Sequence, residues 1–306
     1  MESRLYELKE EINKLKKEKN AVILAHYYVT DEVQEIADFI GDSFFLAKKA
    51  TEIPEQTIVF CGVSFMGESA KMLSPNKKVL MPDNLANCPM AHMADVDYIE
   101  KVKSEHDDLA VVCYINSTAE LKMHSDVCVT SSNALKIVKA LPNKNIFFIP
   151  DENLGRYIAS LVPEKNFIFN DGFCHVHTSI TKENVLKAKV ARPDAKVLVH
   201  PECTLDVLEL ADYIGSTSGI IDYATKSDSK DFIICTEMGV LHELNAKNPD
   251  KKFYSVGISQ FCPNMKKVTL EKVRDALINE TNVVEVSDEV RSRASLPLTR
   301  MLELAR

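Results

Sequence analysis

Three cysteines at nearly equal intervals limit what this chain can fold into more than any local motif does. Cys88, Cys174 and Cys262 lie 86 and 88 residues apart, and no local ligand motif explains that spacing. A chain that repeats one folding unit three times would place one cysteine per unit at the same structural position. A threefold arrangement of such units would bring the three thiols to a common centre.

The repeat extends well beyond the cysteines. The apolar runs AVILAHYY, AVVCYINS and KVLVHPEC align with His26, Tyr114 and His200 in register, and each run predicts a buried parallel strand. Each copy then places an aspartate twelve residues later and a hydroxyl side chain five residues after that. The aspartates are Asp38, Asp126 and Asp212, and the hydroxyl residues are Ser43, Ser131 and Thr217. Further apolar runs precede each cysteine, so the pattern predicts about four short strands per unit.

This period predicts an α/β fold built from three homologous units. Each is expected to be a three-layer α/β/α domain with a small parallel sheet, and the three to lie around a pseudo-threefold axis. We expect the units at residues 1–93, 94–180 and 181–282, with residues 283–306 packing back on the first unit. Within that last segment, residues 283–287 predict an extra strand, and Pro297 predicts a kinked or split terminal helix.

The composition is that of a soluble globular protein, with 45% hydrophobic and 27% charged residues. No apolar run approaches the roughly 18 residues of a membrane span, and the charged N-terminal segment does not resemble a secretory signal. A net charge of −8 without a basic block argues against nucleic acid or an anionic membrane as a partner. Eight cysteines without a disulfide-scaffold composition predict a reducing compartment, so we expect a cytoplasmic protein.

The polar side chains of the repeat fall where ligands bind in open parallel sheets, beyond the carboxyl ends of the strands. They are His26 and Tyr28 in the first unit, Tyr114 and Asn116 in the second, and His200 and Glu202 in the third. Ser43, Ser131 and Thr217 begin predicted helices, whose free amides suit carboxylate or phosphate groups. If the units face one axis, all of these residues line one cavity, in which Glu202 is an acid/base candidate.

Two metal groups are compatible with the three cysteines. A structural zinc ion would need a fourth ligand, for which His92, His175 or His177 is near enough in sequence. A [4Fe–4S] cluster held by three thiolates would instead leave one iron open as a Lewis acid. Spacing alone does not choose between them. The remaining cysteines are expected to pack in the core, including Cys203 at the end of a strand.

Several motifs together resemble the quinolinate synthase family. They are AHYY with GDS, YINSTAE, TSSNA, HPEC, GSTSG, CTEMG and CPNMKK, and they extend over nearly the whole chain. The resemblance implies three similar α/β domains around a pseudo-threefold axis, with one [4Fe–4S] cluster per chain bound by a cysteine from each domain. It also implies the condensation of iminoaspartate with dihydroxyacetone phosphate, with loss of phosphate and two waters, to give the quinolinate used to make NAD.

By the same resemblance, the cluster ligands are Cys88, Cys174 and Cys262. Glu202 and Tyr114 match the pair suited to proton transfer, and a further set matches positions that hold carboxylate or phosphate: His26, Tyr28, Ser43, Asn116, Ser131, His200 and Thr217. The implied partners are these two anionic substrates, with L-aspartate oxidase or aspartate dehydrogenase as the source of iminoaspartate. FCHVH around Cys174 and Tyr27 in AHYYV depart from the family pattern.

Other functions remain compatible with the residues alone. A zinc-dependent or cluster-containing aldolase or dehydratase could use the same fold and metal with other substrates. A non-catalytic iron–sulfur sensor is a third hypothesis, although the sequence shows neither a basic nucleic-acid module nor an obvious partner surface.

Overall fold

The computed structural model describes residues 2–257 and 260–306, so Met1, Ile258 and Ser259 lie outside the described residues. The loop that carries Cys262 is therefore described from Gln260 onward. A helix opens the chain, and strands and helices then alternate as the hydrophobic pattern predicts. The first elements are α1 (Glu2–Glu18), β1 (Ala21–His26), α2 (Asp31–Gln34), β2 (Phe39–Gly41), α3 (Ser43–Glu52), β3 (Thr57–Cys61), α4 (Ser64–Leu73), β4 (Lys78–Leu80) and a 3₁₀ turn (Pro89–His92).

The same succession of elements occurs twice more. The second set is α5 (Val96–Glu105), β5 (Leu109–Tyr114), α6 (Ala119–Met123), β6 (Val127–Val129), α7 (Ala134–Ala140), β7 (Asn145–Ile149), α8 (Glu152–Leu161), β8 (Asn166–Phe169) and α9 (His175–Thr178). The third set is α10 (Lys182–Ala191), β9 (Lys196–Val199), α11 (Leu205–Leu208), β10 (Tyr213–Ile214), α12 (Thr217–Lys226), β11 (Asp231–Cys235), α13 (Val240–Lys247), β12 (Lys252–Tyr254), a 3₁₀ turn (Met265–Lys267) and α14 (Leu270–Asn279). The last helix is α15 (Asp288–Leu304).

Three parallel sheets of four strands each confirm the predicted α/β class. Their strand orders are β2-β1-β3-β4, β6-β5-β7-β8 and β10-β9-β11-β12, which is one topology repeated three times. The register also repeats, because Leu24, Val112 and Leu198 pair with Phe60, Phe148 and Ile234 in their respective sheets. The first strand of each repeat (β1, β5 and β9) is buried along most of its length, as expected for parallel strands covered by helices on both faces. The pseudo-threefold axis stays a prediction.

The C-terminal segment differs from the prediction in its strand, its last helix and its packing. Residues 283–287 do not form a strand: Val283 makes one isolated antiparallel bridge to Leu80, because β4 is three residues long and offers little further backbone to pair with. Helix α15 is continuous through Pro297, so it is not split, and the kink at that residue stays a prediction. It contacts α4 but also α6, β6 and α7, so the segment 283–306 packs on the second repeat as well as the first.

None of the described helices combines the length and the apolar character that a membrane-crossing helix requires.

Candidate functional site

The same backbone hydrogen bond fixes each of the three cysteine loops. In each repeat, the carbonyl oxygen of the residue two positions before the cysteine accepts a hydrogen bond. The donor is the backbone N–H of a residue in the first turn after the third strand of the sheet. These bonds are Ser64 N to Ala86 O at 2.8 Å, Glu152 N to Gly172 O at 2.8 Å, and Met238 N to Gln260 O at 2.7 Å. The repeat therefore brings each cysteine to the same end of its own sheet, where parallel strands end and ligands bind.

One cavity collects every residue that the sequence predicted for the site. Its wall is formed by loops from all three repeats, and it also includes residues that the sequence did not single out, such as Asp42 and Glu237. The predicted residues on its wall are His26, Tyr28, Ser43, Cys88, Tyr114, Asn116, Ser131, Cys174, His200, Glu202, Thr217 and Cys262.

Glu202 forms the centre of a buried polar group in this cavity. Its Oε1 accepts a hydrogen bond of 2.5 Å from the Tyr114 hydroxyl, and its Oε2 lies 2.6 Å from His177 Nδ1. Burial opposes the negative charge of Glu202, but the adjacent His177 ring and the hydrogen bond from the Tyr114 hydroxyl outweigh it, and its pKa is lowered to about 2. Burial and this carboxylate raise the pKa of Tyr114 well above its usual range. The carboxylate is therefore ionised and the phenol keeps its proton.

His26 and His200 occupy equivalent positions and make equivalent bonds. Each accepts a backbone N–H two residues further on through Nδ1: Tyr28 N at 3.2 Å in the first repeat and Glu202 N at 3.3 Å in the third. Burial is the main cause that lowers the pKa of each imidazole to about 3. Both rings are therefore neutral near pH 7, and because Nδ1 is an acceptor, the hydrogen is on Nε2. They are suited to donate hydrogen bonds to an anion without carrying charge.

Hydroxyl and amide groups supply the remaining polar lining. The Tyr28 hydroxyl lies 2.6 Å from Thr217 Oγ1 and 2.8 Å from Thr236 Oγ1, which joins the first and third repeats. Ser131 Oγ lies 3.2 Å from His200 Nε2 and so joins the second and third. Asn116 Oδ1 is buried without a hydrogen-bond partner, which is costly unless a ligand supplies a donor.

A second contact between the first and third repeats closes one side of the cavity. Lys266 Nζ donates to the Tyr28 carbonyl at 2.7 Å and lies 3.0 Å from the buried Glu237 carboxylate, whose Oε1 also accepts the Cys262 N–H at 3.0 Å. Gly239 permits this approach, since a Cβ there would lie 2.5 Å from the Tyr27 carbonyl. The loop of Tyr28 and the loop of Cys262 are thus held together.

The three cysteines on the cavity wall differ from the other thiols of the chain in where they lie. Cys61, Cys113, Cys128, Cys203 and Cys235 are buried, in the sheets or in the core behind them, as predicted. No fourth thiol among the described residues lines the cavity. Burial raises the pKa of Cys88 to about 12 and raises those of Cys174 and Cys262, so a metal group would displace their protons on binding.

The distances among the possible metal-ligating atoms distinguish a site for one ion from a site for a cluster. In the described part of the chain, one set of three donor atoms lies within 4.8 Å of one another, and it is Cys174, His177 and Glu202 rather than the three cysteines. A cluster separates its thiolates by a core of several irons and sulfides, whereas one ion requires them close together. The three thiols therefore do not form the close set that one zinc ion requires. His92 and His175 are exposed, so neither is a fourth ligand here.

The sequence does not predict Thr236, Glu237 or Lys266 as site residues. Thr236 and Glu237 follow β11 directly, so the rule that ligands gather at strand ends would have found them had it been applied to the third strands. His177 was considered only as a zinc ligand. Lys266 gave no signal, because its contacts depend on how the first repeat meets the third.

A parallel α/β fold with thiols, a carboxylate and neutral imidazoles in one buried cavity is the arrangement of an enzyme active site. The family model described as quinolinate synthetase A protein matches residues 10–303. A quinolinate synthase of Caldicellulosiruptor bescii is 56% identical over 297 residues, covering 97% of this chain and 98% of that protein. One from Clostridioides difficile is 53% identical over 295 residues, covering 96% and 97%. Quinolinate synthase 2 of Methanosarcina acetivorans is 48% identical over 305 residues, covering 100% and 97%. The chain belongs to the quinolinate synthase family.

Proposed function

We propose that this protein condenses iminoaspartate with dihydroxyacetone phosphate to give quinolinate, phosphate and two waters, for the biosynthesis of NAD in the cytoplasm. The observation that carries the proposal is the meeting of three cysteines from three repeats with the Glu202–Tyr114 pair in one buried cavity. Family membership supports the same reaction.

Cys88, Cys174 and Cys262 would hold one [4Fe–4S] cluster per chain. When bound, a cluster with three protein ligands supplies a Lewis acid that polarises a substrate oxygen or nitrogen. The buried thiols must lose their protons to bind it, so its retention should weaken as pH falls.

The neutral imidazoles and hydroxyls of the cavity would bind the two anionic substrates. His26 and His200 offer Nε2–H donors, Asn116 has an unpartnered side chain, and Tyr28 presents a phenol. Ser43 and Thr217 are the first residues of α3 and α12, where free backbone amides and the helix dipole favour carboxylate or phosphate. Ser131, beside His200, completes the set. Neutral donors orient such anions without neutralising the charge of Glu202.

Glu202 and Tyr114 would manage the protons that the two dehydrations require. With a pKa lowered to about 2, Glu202 is a weak base in the free enzyme. The arrival of two anionic substrates raises that pKa, because like charges disfavour the ionised carboxylate. Glu202 then accepts a proton from substrate carbon, while Tyr114 donates a hydrogen bond to an oxygen that gains negative charge or departs as water.

Water exclusion would protect the imine substrate, which hydrolyses readily. The bridges from Tyr28 to Thr217 and from Lys266 to the Tyr28 carbonyl hold the first repeat against the third on the side of the cavity where the imidazoles lie. An L-aspartate oxidase or an aspartate dehydrogenase would supply the iminoaspartate.

The test is product formation by the anaerobically reconstituted protein. Supplied with iminoaspartate and dihydroxyacetone phosphate, it should form quinolinate and release one phosphate per quinolinate, both measured by chromatography. Phosphate release without quinolinate, or no turnover by a protein with a full complement of iron and sulfide, would favour an aldolase, a dehydratase with other substrates, or a sensor.

A further inference from the structure

Cys174, His177 and Glu202 form a compact donor set that uses only one of the three proposed cluster ligands. One atom from each lies within 4.8 Å of the other two, and the three comprise a sulfur, an imidazole nitrogen and a carboxylate oxygen. His177 is 2% exposed and Glu202 is 3% exposed. Buried sets of this composition match the ligands of Zn²⁺ sites that have three protein ligands and one open position.

The two nitrogens of His177 have different surroundings. Nε2 lies 2.9 Å from Thr236 Oγ1, which can accept its hydrogen. Nδ1 lies 2.6 Å from Glu202 Oε2, yet it is a buried atom without a hydrogen bond of acceptable angle. A ligating histidine commonly donates its second N–H to a neighbouring acceptor, which leaves the first nitrogen free to bind metal. Thr236 supplies that acceptor.

Each carboxylate oxygen of Glu202 also has its own neighbour. Tyr114 donates to Oε1, so Oε2 is the oxygen that remains for a cation beside His177 Nδ1. A lone pair on Nδ1 and a carboxylate oxygen at 2.6 Å repel each other unless a proton or a metal ion lies between them. The short distance therefore marks a position that a proton or a metal ion can occupy.

We propose that the cluster-free protein binds a single Zn²⁺ ion through Cys174 Sγ, His177 Nδ1 and Glu202 Oε2, with the fourth position open to the cavity. Binding displaces to solvent the proton of the Cys174 thiol and any proton held between His177 Nδ1 and Glu202 Oε2. The two anionic ligands then balance the charge of the ion, so the buried site is neutral overall. No electron is transferred.

Zinc and the cluster would exclude each other at this site. The proposal depends on the proposed function only for this consequence, because both occupants would use Cys174. A zinc ion there would also occupy Glu202, the proposed base, so the zinc form should be inactive as well as resistant to loading with iron and sulfide.

The test uses cluster-free protein and zinc alone, without substrates. Zinc affinity is measured by competition with a chromophoric chelator, and stoichiometry by mass spectrometry of the metal. Wild type should bind one zinc per chain, and His177→Ala should bind it at least about tenfold more weakly. His175→Ala is the matched control, because His175 is exposed and directly follows Cys174. Cys88→Ala distinguishes this site from one shared by the three cysteines. Both His175→Ala and Cys88→Ala should bind zinc like wild type.

A second measurement covers the case in which a variant folds poorly. Co²⁺ should give the visible absorption of a thiolate-bound tetrahedral ion in wild type and in Cys88→Ala, and not in Cys174→Ala. Circular dichroism checks the fold of each variant. The proposal is overturned if His177→Ala binds zinc as tightly as wild type, or if Cys88→Ala loses as much affinity as His177→Ala. Quinolinate formation by cluster-loaded protein is assayed separately, so failure of the zinc site leaves the proposed function standing.

Discussion

The three repeats are most alike at the turn before their second strands and least alike at the cavity. At the turn, the aspartate carboxylate accepts the same first-strand N–H in every copy. These bonds are Ile23 N to Asp38 at 2.8 Å, Val111 N to Asp126 at 2.7 Å and Val197 N to Asp212 at 2.8 Å. One capping interaction thus stabilises the start of each second strand.

At the cavity, equivalent positions have diverged. The position at the end of the first strand holds His26, Tyr114 and His200, and the position two residues after the third strand holds Val63, Asp151 and Glu237. Only the cysteines are the same in all three copies. The difference indicates that the scaffold can repeat, whereas the two dissimilar substrates that we propose would need different donors around them. A shared metal group is the part of the site that a threefold arrangement can serve symmetrically.

The largest expected loss of turnover comes from replacing Glu202, in the part of the cavity where the three repeats differ most. Glu202→Gln keeps the size of the side chain but removes the negative charge, so turnover should fall by about 10² to 10⁴ while the cluster is retained. Quinolinate formation and iron content measure the two properties separately. Glu209→Gln is the control, since Glu209 is an exposed glutamate of the same repeat. Unchanged turnover in Glu202→Gln would remove Glu202 from the proton chemistry.

The paired histidines predict how stability depends on pH. Both have a pKa near 6.5 when unfolded and about 3 when folded, so their contribution is complete above pH 6.5 and is lost as pH falls toward 3. Between pH 6.5 and 4.5 the free energy of unfolding should fall by about 2 kcal/mol per histidine. Urea unfolding of cluster-free protein at several pH values measures this slope.

His200→Asn should remove about half of that slope, because the amide oxygen can accept the Glu202 N–H but does not titrate. His92→Asn, which changes an exposed ring, should leave it unchanged. If His200→Asn keeps the full slope, then His200 is not held neutral by burial.

The smallest expected effect is on stability, and it tests the turn that the three repeats share. Asp38→Ala, Asp126→Ala and Asp212→Ala should each lower the free energy of unfolding by about 1 to 3 kcal/mol, because each leaves a strand N–H without its acceptor. Asp194→Ala, at an exposed position, should change it by less than about 0.5 kcal/mol. A loss confined to one of the three repeats would mean that the turns are not energetically equivalent.

Much of the scaffold could be predicted because its signals are local. Hydrophobic runs of four to six residues became the central strands, and the register of His26, Tyr114 and His200 followed from the repeat. The cavity residues at the ends of the first strands were predictable for the same reason. The roles assigned to individual site residues stay predictions.

Contacts between repeats could not be read from the sequence. The positions of His177 and Lys266 depend on how separate units pack, which no period within one unit specifies. The strand predicted at 283–287 was wrong because a β-rich composition does not guarantee a partner of sufficient length.

The central claim is that one cysteine from each repeat holds a shared [4Fe–4S] cluster. Iron and acid-labile sulfide per chain, measured after anaerobic reconstitution of Cys88→Ser, Cys174→Ser, Cys262→Ser and the buried control Cys203→Ser, test it most directly. We expect about four of each in wild type and Cys203→Ser, and a loss of most iron and sulfide in each of the other three. A full complement of iron and sulfide in any of those three variants would contradict the account.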